Sequence, residues 1–158
     1  MIVRRARMKR ATRAVRIGDT PCGLGVFARR KFRPRETIAD ITGRIVDDPD
    51  YWSEYCIDLG DGRVLEPDAP IRFINHSCQP NCLLVDSARW DDQTGEYYIA
   101  TRLKALVAIS AGDELTIDYA WPASCAIPCL CGSPQCRGWI VAPQELGKLT
   151  HFEGNMEP

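Results

Sequence analysis

The segment Arg72-Phe-Ile-Asn75-His76-Ser77-Cys78-Gln-Pro80-Asn81-Cys82 is the most distinctive stretch of this sequence of 158 residues. It packs Asn, His, Ser and a second Asn between two cysteines and a proline, which makes an unusually polar turn. Such a turn could simply cap its own backbone with its side chains. A nucleophilic Cys–His pair is a second interpretation. It is not favoured, because Cys78 lies only two residues from His76 and no third orienting group is identifiable.

Downstream of this segment, three clustered cysteines indicate a metal site. Three thiols lie close together on one loop, at Cys129, Cys131 and Cys136. The residues between Cys131 and Cys136 are Gly-Ser-Pro-Gln, which favour turns. A structural zinc site needs four sulfur or nitrogen ligands in a closed tetrahedron, so one ligand must come from elsewhere. The candidates for the fourth ligand are Cys125, Cys78 and Cys82. The alternative is a set of unpaired, half-buried thiols, which three cysteines in eight residues make the weaker hypothesis.

The redox setting and the histidine count favour a structural zinc over disulfides or a catalytic zinc. The first residues are charged and no apolar secretory stretch follows, so the chain is expected to be intracellular with reduced thiols. A catalytic zinc usually needs histidine and an open position, and the sequence holds only His76 and His151. The isolated Cys22 and Cys56 are predicted to be small buried apolar residues.

Strand patterns dominate the rest of the chain and predict a mostly β, β-rich α+β single domain. The predicted strands cover residues 25–28, 37–46, 55–59, 63–65, 82–85, 96–103 and 114–117. Gly60-Asp61-Gly62 predicts a hairpin turn between two of them, because such turns need positive φ. Short helices are predicted only at 49–54 and 143–149. No apolar run is long enough for a membrane-spanning helix.

Two further segments say little about function when each is taken alone, but they are informative in combination with the others. Gly23-Leu-Gly25 occurs in many turns, and a tyrosine ending Gly112-Asp-Glu-Leu-Thr-Ile-Asp-Tyr119 most often fills space. Together with the segment at 72–82 and the terminal Cys-x-Cys-x4-Cys, in this order, they resemble the SET-domain protein lysine methyltransferases. The last element resembles the post-SET zinc segment of that family. The resemblance covers nearly the whole chain, residues 16–140.

This resemblance implies a SET-type fold of small curved β-sheets around a pseudoknot, with a C-terminal zinc-binding post-SET segment. In the pseudoknot the segments at 72–82 and 112–119 pass one another, and such threading is rare enough that strand patterns do not predict it. The expected divisions are a basic N-terminal arm (1–15), the SET domain (16–121), the post-SET zinc segment (122–142) and a C-terminal tail (143–158).

The resemblance also assigns roles to individual residues. Tyr119 would be the catalytic residue. One structural Zn²⁺ would be held by Cys78, Cys129, Cys131 and Cys136, leaving Cys22, Cys56, Cys82 and Cys125 as free thiols. S-adenosyl-L-methionine would be bound by Leu24, Gly25, Tyr55, Arg72, Asn75 and His76. The substrate channel would be lined by Ile41, Ile117 and Trp139, the last of which can close over the lysine.

Two of these channel residues depart from the family pattern. Ile41 stands where the family usually has the tyrosine of Tyr-x-Gly-Glu, and Ile117 stands where it usually has Phe or Tyr. Both place an aliphatic side chain where an aromatic one would shape the channel. The number of methyl groups transferred is therefore not predicted. A further departure from the family pattern is that the sequence has no cysteine-rich pre-SET region.

The net charge of −1 conceals an asymmetry between the start of the chain and the remainder. Residues 1–35 hold twelve Lys and Arg against one acid, whereas the remainder holds eight basic and twenty acidic residues. Residues 1–16 hold no acid and are rich in Arg, which is typical of a transit peptide or a nucleic-acid-binding arm, although a solvated terminus is the preferred interpretation. The acidic remainder should attract basic peptides and repel nucleic acid. The expected partner is a basic protein or peptide presenting lysine, with no membrane and no direct nucleic-acid binding.

The sequence thus predicts an S-adenosylmethionine-dependent transfer of methyl groups to the ε-amine of lysine in a histone or other basic protein. The expected location is cytoplasmic in a bacterium and nuclear in a eukaryote. The alternative is a catalytically weak SET-fold module that binds protein or cofactor, which Ile41 and Ile117 would allow. A nucleic-acid-binding zinc protein would depend on the basic N-terminus alone.

Overall fold

The computed structural model describes residues 13–93 and 95–149 and consists of short strands joined by turns. Most of the predicted basic arm and the end of the predicted tail lie outside the described residues. The strands are β1 (Val15–Thr20), β2 (Gly23–Ala28), β3 (Thr37–Asp40), β4 (Gly43–Val46), β5 (Ile57–Asp58), β6 (Val64–Pro67), β7 (Asn75–His76), β8 (Cys82–Asp91), β9 (Glu96–Ala105), β10 (Glu114–Ile117), β11 (Ile127–Pro128) and β12 (Trp139–Ile140). Helical segments are the 3₁₀ turns Ile71–Phe73, Ala123–Cys125 and Pro143–Glu145 and the helix α1 (Leu146–Leu149).

The strands form small sheets, and one of them brings distant motifs together. Its strand order is β1-β2-β10-β7, and the other sheets have the orders β3-β9-β8, β4-β6-β5 and β11-β12. In the first sheet β10 pairs with β2 in antiparallel register and with β7 in parallel register, so that Ile117 lies opposite His76. The parallel pairing places the end of β10 beside the 72–82 segment.

Asn81 fixes this crossing through its side-chain amide. Its Nδ2 donates to the carbonyl of Glu114 at 2.7 Å, and its Oδ1 accepts from the backbone N–H of Thr116 at 2.9 Å. The amide therefore pairs with β10 as another strand would. The core around it is apolar, and Val26, Leu103 and Leu115 within it are fully buried.

Most of the predicted elements are confirmed. The hairpin turn has positive φ at Gly60 and Gly62, as the pattern predicted, and the strand at 114–117 and the helical segment at 143–149 are present. The single strand predicted at 37–46 is instead two strands, because β3 pairs with β9 whereas β4 pairs with β6. No helix long and apolar enough to cross a membrane occurs in the described part of the chain.

The helix predicted at 49–54 is wrong. The segment is a loop that begins with a turn at Asp48, whose carboxylate accepts from the backbone N–H of Asp50 at 3.0 Å and whose carbonyl accepts from Tyr51 at 3.1 Å. An aspartate that bonds its own backbone in this way competes with helix formation.

The burial predicted for two cysteines also needs correction. Cys22 is exposed, because it lies in the tight turn between β1 and β2, where its N–H donates to Thr20 Oγ1 at 3.2 Å. Cys56 is only partly buried. The buried apolar cysteine is Cys82, which starts β8 in the core and is 1% exposed.

Candidate active site and metal centre

Tyr119 follows β10 and is held at both ends by the segment that it crosses. Its backbone N–H donates to Nδ1 of His76 at 3.2 Å, and its hydroxyl donates to the carbonyl of Ile74 at 2.7 Å. The ring packs edge-on against the His76 ring at 5.4 Å between centroids. The phenol therefore has one fixed direction, with its proton committed to Ile74 and its oxygen lone pairs left to accept.

Burial, and to a smaller extent the negative charge of Glu54, raises the pKa of Tyr119 to about 12. The hydroxyl consequently remains protonated at neutral pH. It can orient a reacting group as a fixed hydrogen-bonding dipole, but it is not a general base under those conditions.

His76 links Tyr119 to the cysteine cluster as a neutral imidazole. Burial lowers its pKa, and because Nδ1 accepts the Tyr119 N–H, the ring proton is assigned to Nε2. Nε2 lies 3.4 Å from Sγ of Cys78. Asp118 Oδ1 lies 3.5 Å from Nδ1, but with a neutral ring this contact is not an ion pair.

Tyr119 lines a cavity of about 420 Å³ whose walls suit a cationic ligand. This volume lies within the range of small-molecule sites. Aromatic rings on a cavity wall attract cations, and carboxylates add to that attraction. The aromatic lining residues are Trp52, Tyr55, Tyr119 and Trp121, and the acidic ones are Glu54, Asp58 and Asp118.

The structure brings only some of the predicted site residues to this cavity. Those that line it are Tyr55, Arg72, Ile41, Ile117 and Tyr119. The predicted cofactor residues Leu24, Gly25, Asn75 and His76 lie on the adjoining β1-β2-β10-β7 sheet. Trp139 is not among the lining residues; it lies in β12, where it pairs with Pro128.

Sequence reasoning missed two tryptophans of the lining. Trp121 lies 5.3 Å from the Tyr119 ring between centroids, and Trp52 is 69% exposed. The position of Trp121 two residues after Tyr119 was an available signal. For Trp52 the sequence offered none, because the loop that carries it has no regular pattern.

Arg72 supports Tyr55 through its guanidinium group. Its Nη2 donates to Oε1 of Glu66 at 3.0 Å, and its Cζ lies 4.6 Å from the centroid of the Tyr55 ring. The charge is therefore already paired, and the stacking holds Tyr55 at the cavity wall.

Asn75 ties the start of β2, at Leu24, to Glu114 in β10. Its Nδ2 donates to the carbonyl of Leu24 at 3.2 Å and to Oε1 of Glu114 at 2.8 Å. A Cβ at Gly25 would lie 2.6 Å from both Glu114 Oε1 and Thr20 Cγ2, which is closer than real Cβ atoms approach. A side chain at this position would therefore have to displace Glu114 or Thr20.

The four predicted zinc ligands lie together. The Sγ atoms of Cys78, Cys129, Cys131 and Cys136 are all within 4.8 Å of one another. Cys78 and Cys129 Sγ are 3.7 Å apart, and sulfurs about 2.3 Å from one tetrahedral ion would be roughly 3.8 Å apart. The donor set and spacing therefore fit a zinc ion. Cys82 lies in the core and Cys125 in an exposed 3₁₀ turn, both outside this cluster.

The protein favours a thiolate within this four-cysteine cluster. Burial opposes ionisation and raises the pKa of Cys129. At Cys131 burial acts in the same direction, but backbone N–H groups of Cys78 and Ser133 and the neighbouring thiols outweigh it and lower the pKa to about 6. The backbone N–H of Gly138 also donates to Cys136 Sγ at 3.4 Å. Hydrogen bonds of this kind stabilise the anionic ligands that zinc requires.

Comparison with known proteins agrees with the fold and the order of motifs. Residues 23–120, more than half of the chain, match the SET domain family. The chain is 32% identical over 136 residues to an H3 lysine-4-specific histone-lysine N-methyltransferase of Schizosaccharomyces pombe, covering 74% of this chain and 14% of that protein. It is 38% identical over 135 residues to the histone-lysine N-methyltransferase ash1 of Drosophila melanogaster, covering 75% of this chain and 6% of that protein. The chain thus spans a small part of these relatives.

Solved structures show the same fold. A crystal structure of KRYPTONITE in complex with mCHH DNA, an H3(1-15) peptide and SAH has a TM-score of 0.65, with 23% identity over 80% of this chain and 29% of that one. Its complex with mCHG DNA and SAH has a TM-score of 0.68, with 22% identity over 80% of this chain and 28% of that one. The predicted mostly β, SET-type fold is confirmed. With the family match over residues 23–120, it follows that the chain belongs to the SET domain family.

Proposed function

We propose that this chain is an S-adenosylmethionine-dependent protein lysine methyltransferase that acts on a histone or another basic protein inside the cell. The observation that carries the proposal is the Tyr119 hydroxyl, fixed by the Ile74 carbonyl on the wall of an aromatic and acidic cavity. The names of the relatives, which are histone-lysine N-methyltransferases, support the same activity. The proposed divisions are those of the sequence analysis, with a SET domain at 16–121 and a post-SET segment at 122–142.

Two of the proposed cofactor residues line the cavity, and the other four lie on the β1-β2-β10-β7 sheet beside it. Bound S-adenosylmethionine would supply an electrophilic methyl group on a positively charged sulfur. Aromatic rings and carboxylates suit that charge, and the cavity volume suits a molecule of this size. The residues that would hold it are Leu24, Gly25, Tyr55, Arg72, Asn75 and His76.

The target amine must be neutral to attack, although the pKa of free lysine is about 10.4. The lining carboxylates attract the cationic side chain, and the aliphatic walls at Ile41, Ile74 and Ile117 disfavour its charge. The Tyr119 oxygen can then accept a hydrogen bond from the amine and align it. Because Tyr119 remains protonated, the amine must lose its proton to solvent, and most of the rate should come from alignment.

The direct test is transfer of a labelled methyl group from S-adenosylmethionine to core histones and to other lysine-rich basic proteins. We expect label in protein, with none when the lysine amines have been converted to amides by acetylation beforehand. Calorimetric titration with S-adenosylhomocysteine should show binding in the same preparation. Binding without transfer to any acceptor would contradict the proposal.

That outcome would favour the second function, a catalytically weak SET-fold module that binds protein or cofactor. The observation behind this alternative is that Ile41 and Ile117 both line the cavity where the family usually has aromatic rings. Retention of Tyr119 and of the four-cysteine cluster favours the enzyme. Both functions allow cofactor binding, so only the transfer assay distinguishes between them.

Substitution of Gly25 by alanine is expected to weaken cofactor binding. The new Cβ would displace Glu114 or Thr20 and loosen the Asn75 amide that holds the Leu24 carbonyl. Overpacking of this kind costs about 1–3 kcal/mol. We expect a cost of this size to lower the affinity for S-adenosylhomocysteine by about fivefold or more and to lower the thermal stability of the protein. Calorimetry and thermal unfolding measure the two effects.

Gly147→Ala is the matched control. Gly147 lies in α1 with nothing within 4 Å of its Cβ position, so alanine there should leave binding unchanged. Unchanged binding in the Gly25 variant as well would show that the start of β2 does not hold the cofactor.

A further inference from the structure

Arg137 joins the four-cysteine cluster to the segment that carries Tyr119. It follows Cys136 directly, and its backbone N–H donates to Cys78 Sγ at 3.4 Å. Its side chain extends away from the sulfurs, and Nη2 donates to Asp118 Oδ1 at 2.7 Å. One residue therefore contacts a cysteine of the cluster through its backbone and the neighbour of Tyr119 through its guanidinium.

The carboxylate that Arg137 binds shapes the turn after Tyr119. Asp118 Oδ1 also accepts the backbone N–H of Ala120 at 3.1 Å. Ala120 has a φ of +49°, in the left-handed region that a residue with a Cβ rarely adopts. The Asp118 carboxylate holds this turn in place, and Arg137 fixes the carboxylate.

The burial of the pair makes it more than a solvated surface contact. The Arg137 side chain is 13% exposed and that of Asp118 is 23% exposed. Within the described part of the chain, Nε of Arg137 is buried without a hydrogen-bond partner. Exposed ion pairs contribute little, whereas removal of one partner of a buried pair leaves an uncompensated charge. The position of Asp118 should therefore depend strongly on Arg137.

A second contact reaches Tyr119 from the same cysteine. Cys78 Sγ lies 3.4 Å from Nε2 of His76, whose Nδ1 accepts the Tyr119 N–H. The cluster is thus linked to residues 118–120 on two sides, through His76 to the Tyr119 backbone N–H and through Arg137 to the Asp118 carboxylate.

We propose that Arg137 is a positioning residue, which couples occupancy of the four-cysteine cluster to the geometry of Tyr119 through Asp118. This inference rests on the proposed function for its kinetic consequence. Arg137 is not among the residues that line the cavity, and it acts only through the carboxylate beside the catalytic tyrosine.

The test compares Arg137→Gln with Arg102→Gln in the full chain. Arg102 forms a similarly buried pair with Asp40 at 3.2 Å, within the β3-β9-β8 sheet. We expect Arg137→Gln to lower kcat on the order of 10–100-fold, since small misplacements of a catalytic group have effects of this size. KM should change by less than about threefold, zinc content should remain that of the wild type, and Arg102→Gln should retain wild-type kcat.

Amide hydrogen exchange of the Tyr119 N–H supplies a measurement that does not depend on activity. In the wild type, removal of zinc with a chelator should speed this exchange by about tenfold or more as the turn loosens. Zinc-loaded Arg137→Gln should already exchange faster than the zinc-loaded wild type, and chelation should then add less than it does in the wild type, because only the contact through His76 remains. Arg137→Lys should restore part of the protection and of kcat, because a lysine can form one of the charged hydrogen bonds to Asp118.

Wild-type exchange of the Tyr119 N–H in zinc-loaded Arg137→Gln would overturn the inference, as would loss of zinc from that variant. Complete absence of methyl transfer by the wild type would instead refute the proposed function. The exchange experiment would still decide whether Arg137 links the cluster to Tyr119.

Discussion

Tyr119→Phe is expected to lower kcat by about 10²–10³-fold or more, the loss that follows removal of one group aimed at a reaction centre. The hydroxyl is the only part of the side chain that is removed, and in the wild type its proton is committed to the Ile74 carbonyl. The oxygen that would align the amine is then absent, whereas the ring remains packed beside His76 and Trp121. The affinity for S-adenosylhomocysteine should remain within about threefold of the wild type.

The structural cost of this variant is small enough to keep it folded. Loss of one buried hydrogen bond costs about 0.5–1.5 kcal/mol, and the freed Ile74 carbonyl adds to that cost. Because burial raises the pKa of Tyr119 to about 12, the variant loses no group that titrates near neutral pH. The pH dependence of its residual rate should keep the shape of the wild-type profile.

Tyr51→Phe is the matched control for Tyr119→Phe. Its hydroxyl donates to Oε2 of Glu66 at 3.0 Å, so the variant also loses a phenolic hydrogen bond. Single-turnover rates measured with saturating S-adenosylmethionine should fall only in the Tyr119 variant. A Tyr119→Phe enzyme with wild-type rate would show that the hydroxyl has no part in the reaction.

The second large effect is expected from Cys78→Ser. Cys78 is the one member of the cluster outside the 129–136 loop, so its loss should release that loop from the 72–82 segment. Changes in groups that only support a ligand already cost 10–100-fold in metal affinity. Loss of a ligand should therefore weaken zinc binding by at least about 100-fold and lower both thermal stability and methyl transfer.

Metal analysis of the purified variant, together with its unfolding curve, measures this effect. Cys22→Ser is the control, since Cys22 is exposed and lies outside the cluster. One zinc per chain is expected in the wild type and in this control. A metal-free wild type of unchanged stability and full activity would refute the structural zinc.

Local patterns predicted the strands and the hairpin correctly, but they wrongly predicted a helix at 49–54. Alternation and Gly-rich turns act over a few residues, so they located the strand at 114–117 and the turn at 60–62. The helix prediction failed because Asp48 bonds its own backbone instead. That competition depends on the geometry of one side chain, which composition does not reveal.

Contacts between distant segments were beyond the sequence patterns. Spacing identified three cysteines of the cluster and left the fourth open, because Cys78 and Cys129 are 51 residues apart. The parallel pairing of β10 with β7 also joins segments that are far apart in the sequence. Only the family resemblance predicted that these two segments pass one another. The pair between Arg137 and Asp118 and the position of Trp52 at the cavity followed from the structure alone.

The most direct test of lysine methylation by this protein is mass spectrometry of a basic peptide with a single lysine after incubation with the protein and S-adenosylmethionine. We expect added methyl groups, located on the lysine Nζ by fragmentation. We expect none on the peptide with arginine in place of lysine, and almost none with the Tyr119→Phe protein. Methylation at any other atom, or equal methylation of the lysine by Tyr119→Phe, would contradict the claim that Tyr119 directs transfer to lysine.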